Sequence, residues 1–337
     1  MTQIERTDIL QIENLNSPVP VGSTEKTNVY PNVIFGVVAM LTAALLNSLG
    51  SVLSKILLGH FSVSQLAFGR VLVTFVILLL ICAVRIRRIP PLTSSDVMAF
   101  IGYGLAGMVM SPCMYFGAID RISIGVVLIL EYSAPIIVLA YLRLVRGELI
   151  PRPIAVAMAI CIVGLACVAL SGGALVLNAT GIFFGFGAAI ALAAVYLLAE
   201  KSLKNRPTLF ISTFGYLVGS IAWIFLAPVW SFPFDMLNAT VQVTLGNGIS
   251  GQLNVTLMFM ILGGAFTVLP TLLMLSGIRI LGPARASSLS ISEPIISSVI
   301  AWLVLGQVLS PLQFLGGGIT IIGLLLLERA RRYSRTL

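Results

Sequence analysis

The sequence predicts an all-α polytopic membrane protein of ten transmembrane helices, arranged as two inverted five-helix repeats. Three observations lead there. Of 337 residues, 58% are hydrophobic and only 9% are charged, against about 45–50% apolar and about 25% charged in an average soluble domain. The basic residues gather in alternate connections between apolar runs. The chain also resembles itself at a shift of 159 residues. Twelve acidic and twenty basic side chains cannot coat a soluble protein of this size. A cytosolic enzyme, an ordinary nucleic-acid-binding domain and a disordered chain are therefore excluded, and the mean hydropathy of +1.07 agrees.

Residues 1–31 are polar and mixed in charge, with Pro18, Pro20 and Pro31, and read as a flexible cytoplasmic tail. No apolar core follows a basic start, so the tail is not a signal peptide. Apolar runs follow at 32–57, 63–84, 97–118, 123–144, 153–171, 180–200, 209–230, 255–278, 284–305 and 311–328. A hydrocarbon core about 30 Å thick needs about 20 residues of helix, and the strands of a membrane barrel would alternate in polarity instead of running unbroken. The first repeat spans 32–171 and the second 172–328, with a basic cytoplasmic tail at 329–337.

The connections set the orientation. Basic residues occur at Arg85, Arg87 and Arg88, at Arg143, Arg146 and Arg152, at Lys201, Lys204 and Arg206, and at Arg279 and Arg285. Arg329, Arg331, Arg332 and Arg335 close the chain. The intervening connections near 59–62, 172–179, 231–254 and 306–310 hold no Lys or Arg, and the one at 119–122 holds only Arg121. With Arg6 and Lys26 of the tail, 17 of the 20 basic residues fall on one side and one on the other. Excess Lys and Arg mark the cytoplasmic side. Both termini are then cytoplasmic, which requires an even number of spans. The net charge of +8 is explained by topology and calls for no nucleic acid.

At the 159-residue shift, Pro135-Ile136-Ile137 matches Pro294-Ile295-Ile296, Leu144-Val145 matches Leu303-Val304, Gly147-Glu148 matches Gly306-Gln307, and Gly164-Leu165 matches Gly323-Leu324. A weaker match at a shift of 146 joins Lys55 to Lys201 and Gly69 to Gly215. Five spans per copy is an odd number, so the second copy enters the membrane from the opposite side. Inverted halves are typical of secondary transporters, with the substrate near the midplane between them.

The pattern Ala118, Ile119, Ser123, Leu128, Pro135, Gly147-Glu148 and Gly164, repeated around Pro294, Gly306 and Gly323, resembles the EamA-type carriers of the drug/metabolite transporter superfamily. The resemblance covers roughly residues 32–328. It implies a ten-helix carrier of small organic solutes, with efflux of amino acids or related metabolites as the expected direction and uptake by the same fold as the alternative. Gln307 stands where the first copy has Glu148.

A charge near the bilayer centre costs at least about 2.5–3.5 kcal/mol on insertion scales. Those inside spans are therefore candidates for a site. Glu131 and Glu293 lie roughly 12–14 Å into their helices at 1.5 Å per residue, and each precedes a proline, Pro135 and Pro294. Proline removes a helical hydrogen bond, and such broken helices are tolerated where they face protein or a cavity. Two carboxylates there bind a cationic group or take up protons, unless Ser133, Ser290 and Ser292 cap them locally. The two are not equivalent in the repeat, because Ser290 matches Glu131 and Ala134 matches Glu293. Arg70 lies about eight residues deep and suits a substrate carboxylate. Lys55 is shallower and able to snorkel. Asn47 and Tyr115 either line the cavity or bond between helices. The substrate-binding set is thus Glu131, Glu293, Arg70, Asn47, Tyr115 and Lys55, favouring a zwitterion.

Other residues read as structure. Tyr132, Trp223 and Trp302 are expected to pack or anchor at an interface. Glu200 is expected to pair with Lys201. Gly181–Gly185 and Gly215–Gly219 are small-xxx-small patterns for close packing, and Pro112 and Pro270 are hinges of corresponding third helices. His60 falls in an outer connection. Asn178-Ala-Thr, Asn238-Ala-Thr and Asn254-Val-Thr are taken as coincidental glycosylation-type triplets. Cys82, Cys113, Cys161 and Cys167 lie in apolar runs and form no CxxC pair. Gly248-Ile-Ser250-Gly251 lies in a polar connection with only His60 as a histidine base, and no HExxH or Walker-type loop is present. No catalysis, metal or cofactor is expected. The expected protein is an integral component of a bacterial inner membrane, contacting lipid and a small molecule, as a monomer or homodimer.

Overall fold

The computed structural model describes residues 29–85, 92–170, 177–203, 206–227, 232–244, 250–306 and 310–333. Residues 1–28, Arg87, Arg88, Lys204, Gln307 and Arg335 lie outside the described residues, and the last three residues of the expected tail, from Val29, are already helical. Ten helices are long and apolar enough to cross a membrane. The first half supplies α1 (Asn32–Leu57), α2 (Val63–Arg85), α3 (Ser94–Ile119), α4 (Ile124–Leu144) and α5 (Arg152–Leu170). The second supplies α6 (Ala179–Leu203), α7 (Thr208–Leu226), α8 (Val255–Leu281), α9 (Pro283–Val304) and α10 (Pro311–Ala330). These are the predicted runs, with ends moved by a few residues where caps decide. Thr93 opens α3 in a capping box with Asp96, its hydroxyl accepting from the Asp96 amide and its own amide donating to the Asp96 carboxylate. Asn178 and Asn254, the first residues of two of the triplets, act as caps: their side chains accept from the amides of Gly181 and Leu257.

Four helices are irregular, and they correspond between the halves. A π-helical turn interrupts α3 at Leu105–Met110 and α8 at Gly264–Val268, each just ahead of Pro112 or Pro270. α4 divides into α4a (Ile124–Glu131) and α4b (Ala134–Leu144). α9 divides into α9a (Pro283–Leu289) and α9b (Ser292–Leu305). Gly147 and Gly306, matched by the 159 shift, end the fourth helix of each half at φ 69° and 65°, a backbone region that glycine enters without steric cost.

Helices pack mostly across the halves, and the contacts come in exchanged pairs. α3 packs on α6 as α8 packs on α1; α3 lies on α7 as α8 lies on α2; α4 lies on α6 as α9 lies on α1. The fifth helices meet each other. A Cβ on Gly164 would lie 2.5 Å from the Thr320 amide nitrogen, and one on Gly323 would lie 2.7 Å from the Cys161 sulfur. Only glycine permits this approach. Residue numbers rise along α5 as they fall along α10, so the two helices run antiparallel, and the 159 shift turns one of these contacts into the other. The small-xxx-small patterns also pack closely: Gly185 faces Leu130 and Gly215 faces Tyr103.

The connection at 231–254, predicted only as polar, carries structure. A 3-10 turn (Phe234–Asn238) leads into an antiparallel hairpin of β1 (Thr240–Thr244) and β2 (Ser250–Asn254). Phe232 beneath it packs on Phe61, Phe68 and Phe259, ring centroids 5.6, 6.0 and 6.2 Å away. This aromatic group belongs to one buried cluster with Leu57 and Trp223, at the end poor in basic residues. A second cluster, with Phe100, Tyr103, Tyr196, Phe210 and Leu281, fills the basic end.

Candidate functional site

The two broken helices are built alike. In α4 the Ser133 hydroxyl donates to the Leu130 carbonyl at 2.6 Å; in α9 the Ser292 hydroxyl donates to the Leu289 carbonyl at 2.7 Å. Both residues of each bond are matched by the 159 shift. Pro135 and Pro294 follow two residues later, where the missing N–H prevents the helix from closing over the break. The serines expected to cap the carboxylates satisfy backbone carbonyls instead, and Ser290 donates to the Ser287 carbonyl at 2.6 Å.

The carboxylates flank these breaks. Glu131 is the last residue of α4a, and Glu293 stands in the first turn of α9b. They lie within electrostatic reach of each other. The Ser111 hydroxyl of α3 faces Glu131, and Tyr115, one turn further along α3, faces the same carboxylate. The Asn47 amide of α1 and the Tyr132 hydroxyl of the α4 break face Glu293, with Arg70 of α2 in electrostatic reach. Ser48 holds α1 in place, donating to the Ala44 carbonyl at 2.8 Å and to the Glu293 backbone carbonyl at 3.4 Å, while Ser297 donates to Ser48 at 2.8 Å. Arg70 is oriented by its Nε, which donates to Thr267 Oγ1 in the π-helical turn of α8 at 2.9 Å. The fold thus brings together Glu131, Glu293, Arg70, Asn47 and Tyr115. All five are half-buried and keep accessible surface deep within the chain. Lys55 stands apart, exposed in the last turn of α1.

Tyr132 and Tyr196 belong to this group although the sequence reading left them out. Tyr132, read as a packing residue, stands in the break between α4a and α4b and turns its hydroxyl to Glu293. Tyr196 of α6 is 2% exposed, hydrogen-bonds Ser290 and faces both carboxylates. Trp223 also does more than pack: its indole N–H donates to the Met108 carbonyl, in the π-helical turn of α3, at 2.7 Å. A pair of carboxylates can hold one cationic group, and a guanidinium can hold a carboxylate in bidentate fashion.

The basic end is laced by ion pairs. Glu200 pairs with Arg146 at 2.6 Å, not with the adjacent Lys201. Arg206 pairs with Asp96 at 2.6 Å, and Arg285 with Glu328. The first two join one half to the other. Arg279 adds hydrogen bonds to the carbonyls of Leu203 and Arg206. At the opposite end Arg121 donates to the Gly117 carbonyl at 2.8 Å and lies over the Phe184 ring. His60 is exposed there. Two surface clefts open at the basic end, of about 720 and 430 Å³, and neither is lined by residues of the carboxylate group.

The EamA-like transporter family model matches this chain twice, over residues 34–170 and 179–329. An uncharacterized transporter of Archaeoglobus fulgidus is 23% identical over 220 residues, 65% of this chain and 73% of its own length. The uncharacterized transporter YdfC of Bacillus subtilis is 24% identical over 259 residues, 77% of this chain and 79% of its own length. One crystal structure aligns with 88% of this chain and 98% of its own at a TM-score of 0.67 and 14% identity, a likeness of fold. Two matched repeats, ten membrane-spanning helices and relatives named as transporters describe an integral membrane transporter of small molecules. The chain belongs to the EamA-like transporter family.

Proposed function

We propose that the protein is a secondary carrier, moving small zwitterionic metabolites such as amino acids by alternating access between two inverted halves. The observation that carries this reading is the meeting of two matched helix breaks, with Glu131 and Glu293 in electrostatic reach of each other and Arg70 in reach of Glu293. The carboxylates hold the substrate ammonium, and Arg70 holds its carboxylate. Asn47, Tyr115 and Tyr132 fix the orientation. Lys55, at the outer mouth, attracts the substrate carboxylate. The antiparallel meeting of α5 and α10, in which Gly164 meets Thr320 and Gly323 meets Cys161, supports a pseudo-two-fold axis across the helices. The exchanged pairs of helix contacts support it too. Halves so related exchange roles, so a contact pattern closed at one end has a mirror pattern closed at the other.

The ion pairs Arg146–Glu200 and Arg206–Asp96 tie the halves at the cytoplasmic end, and in this reading they break when that end opens. Export is the direction taken from the family resemblance. The chain lies in a bacterial inner membrane with both termini cytoplasmic, as a monomer or homodimer. The test is counterflow in proteoliposomes with a panel of amino acids, simple amines and simple carboxylates. Amino acids should exchange faster than either single-charge class. Flux of amines alone, or of none of the panel, overturns the substrate class. Thr240→Cys, in the exposed first strand of the hairpin, should react with an impermeant thiol reagent only from outside the cell.

A further inference from the structure

The α5–α10 pair has a second feature, at its basic end. The cleft of about 430 Å³ there is lined by Arg152, Val156, Ala157, Leu326, Arg329 and Ala330. Its walls are apolar and outward-facing, with Val156 60% and Leu326 41% exposed. Arg152 is the first residue of α5, and Arg329 is one residue from the end of α10, so both residues stand at the basic ends of their spans. No carboxylate lines the cleft. Glu328, which adjoins Arg329 in the chain, is already held by Arg285. Among the described residues neither Arg152 nor Arg329 has an acidic partner.

The repeat supplies a control within the molecule. The 159 shift carries Arg152 onto Pro311 and Leu170 onto Arg329. The corresponding mouth at the other end of the same helix pair is therefore uncharged at both positions. Helix packing needs cations at neither end, since Gly164 and Gly323 make equivalent contacts without them. Both arginines belong to the basic excess of the cytoplasmic side, and here the pair flanks an apolar cleft with no acidic lining. We propose that this cleft binds one anionic phospholipid of the cytoplasmic leaflet. Its phosphate lies between Arg152 and Arg329, where guanidinium groups bind phosphate oxygens in bidentate fashion, and an acyl chain lies along Val156, Ala157 and Leu326. Basic pockets between transmembrane helices on the cytoplasmic side hold anionic head groups in this way.

The test uses the full chain in neutral detergent, titrated with phosphatidylglycerol or with phosphatidylcholine of the same acyl chains and read by native mass spectrometry. One phosphatidylglycerol should be retained in preference to phosphatidylcholine. The preference should fall about tenfold in the double variant Arg152→Gln, Arg329→Gln and survive in part in the Arg→Lys pair. Val156→Trp, which fills the cleft and leaves both charges, should also abolish it, and carries the test if the double variant does not fold. Equal retention of the two lipids, or a preference unchanged by the Gln pair or by the Trp, overturns the proposal. So does displacement of the lipid by millimolar inorganic phosphate, which would assign the site to a soluble anion.

Discussion

The breaks in α4 and α9 are the same backbone device carrying different chemistry. Serine, carbonyl and proline recur at matched positions. The carboxylate does not: Glu131 precedes its break, and Glu293 follows its own. The consequence is electrostatic. Glu293 stands in the first turn of α9b, where a helix favours negative charge. Asn47, Tyr132 and a guanidinium face it. Glu131 ends its helix segment, where a negative charge meets unpaired carbonyls, and Ser111 faces it. Shared architecture thus sets the position of the site, and asymmetric side chains give its two walls different work. Glu293 is held as an anchor. In the proposed transport reading Glu131 is the less committed group, the one that meets the substrate cation.

This difference predicts that neutralising the two carboxylates has separable effects. Glu293→Gln should lower counterflow about a hundredfold and also lower the melting temperature, because Arg70 loses its facing charge; charged hydrogen bonds contribute about 1.5–3 kcal/mol. Glu131→Gln should lower flux at least about tenfold yet leave the melting temperature unchanged or raised, since it removes a like charge from beside Glu293. Thermal melts in detergent paired with liposome flux would decide. Equal melting shifts for both variants would break the comparison, and unchanged flux in both would remove the carboxylate site.

Where the halves meet symmetrically, the effects should be equal. Gly164→Leu and Gly323→Leu each place a side chain against the partner backbone of the α5–α10 contact. Overpacking of this kind costs about 1–3 kcal/mol. Both variants should lose melting temperature to a similar extent, while Gly318→Ala, with nothing within 4 Å of its added Cβ, should lose none. A large loss in only one of the two glycine variants would show that the fifth helices are not equivalent.

The cross-half ion pairs should have a smaller effect, on conformation more than on folding. Arg146→Ala with Arg206→Ala removes both ties at the basic end. A cysteine at Ala199, which is 0% exposed, should then label faster from the cytoplasmic side, with little change in melting temperature. Labelling that stays at the wild-type rate would mean these pairs do not hold that end closed.

The number, order and approximate limits of the helices were legible in the sequence because the membrane demands long apolar runs and the charges mark one face. The repeat register was legible from Gly147, Gly164, Pro135 and their partners, residues with backbone reasons to recur. Side-chain partnerships were less so. Lys201 follows Glu200 directly, and neighbours at i, i+1 do not face each other on a helix, so the true partner, Arg146, comes from the other half. Tyr132 reads as an ordinary aromatic because its direction depends on the turn at the break, which a helical wheel does not contain. The hairpin at 240–254 escaped because its strands are short and polar, and its anchor, Phe232, lies outside them.

The smallest predicted effect tests the shared device itself. Ser133→Ala and Ser292→Ala each remove one hydroxyl that donates to a carbonyl at the break. A net intramolecular hydrogen bond contributes about 0.5–1.5 kcal/mol. If the device is the same in both halves, the two melting shifts should agree within a few tenths of a kcal/mol, although the flux of Ser292→Ala should suffer more. The reason is position: Glu293 follows Ser292 directly and shares its turn, whereas Glu131 lies on the other side of the break from Ser133. Equal melting shifts with unequal flux would confirm one scaffold bearing two kinds of chemistry. Unequal melting shifts would mean that the second break is held by something else, and the Ser290 hydroxyl on the Ser287 carbonyl is the bond to remove next.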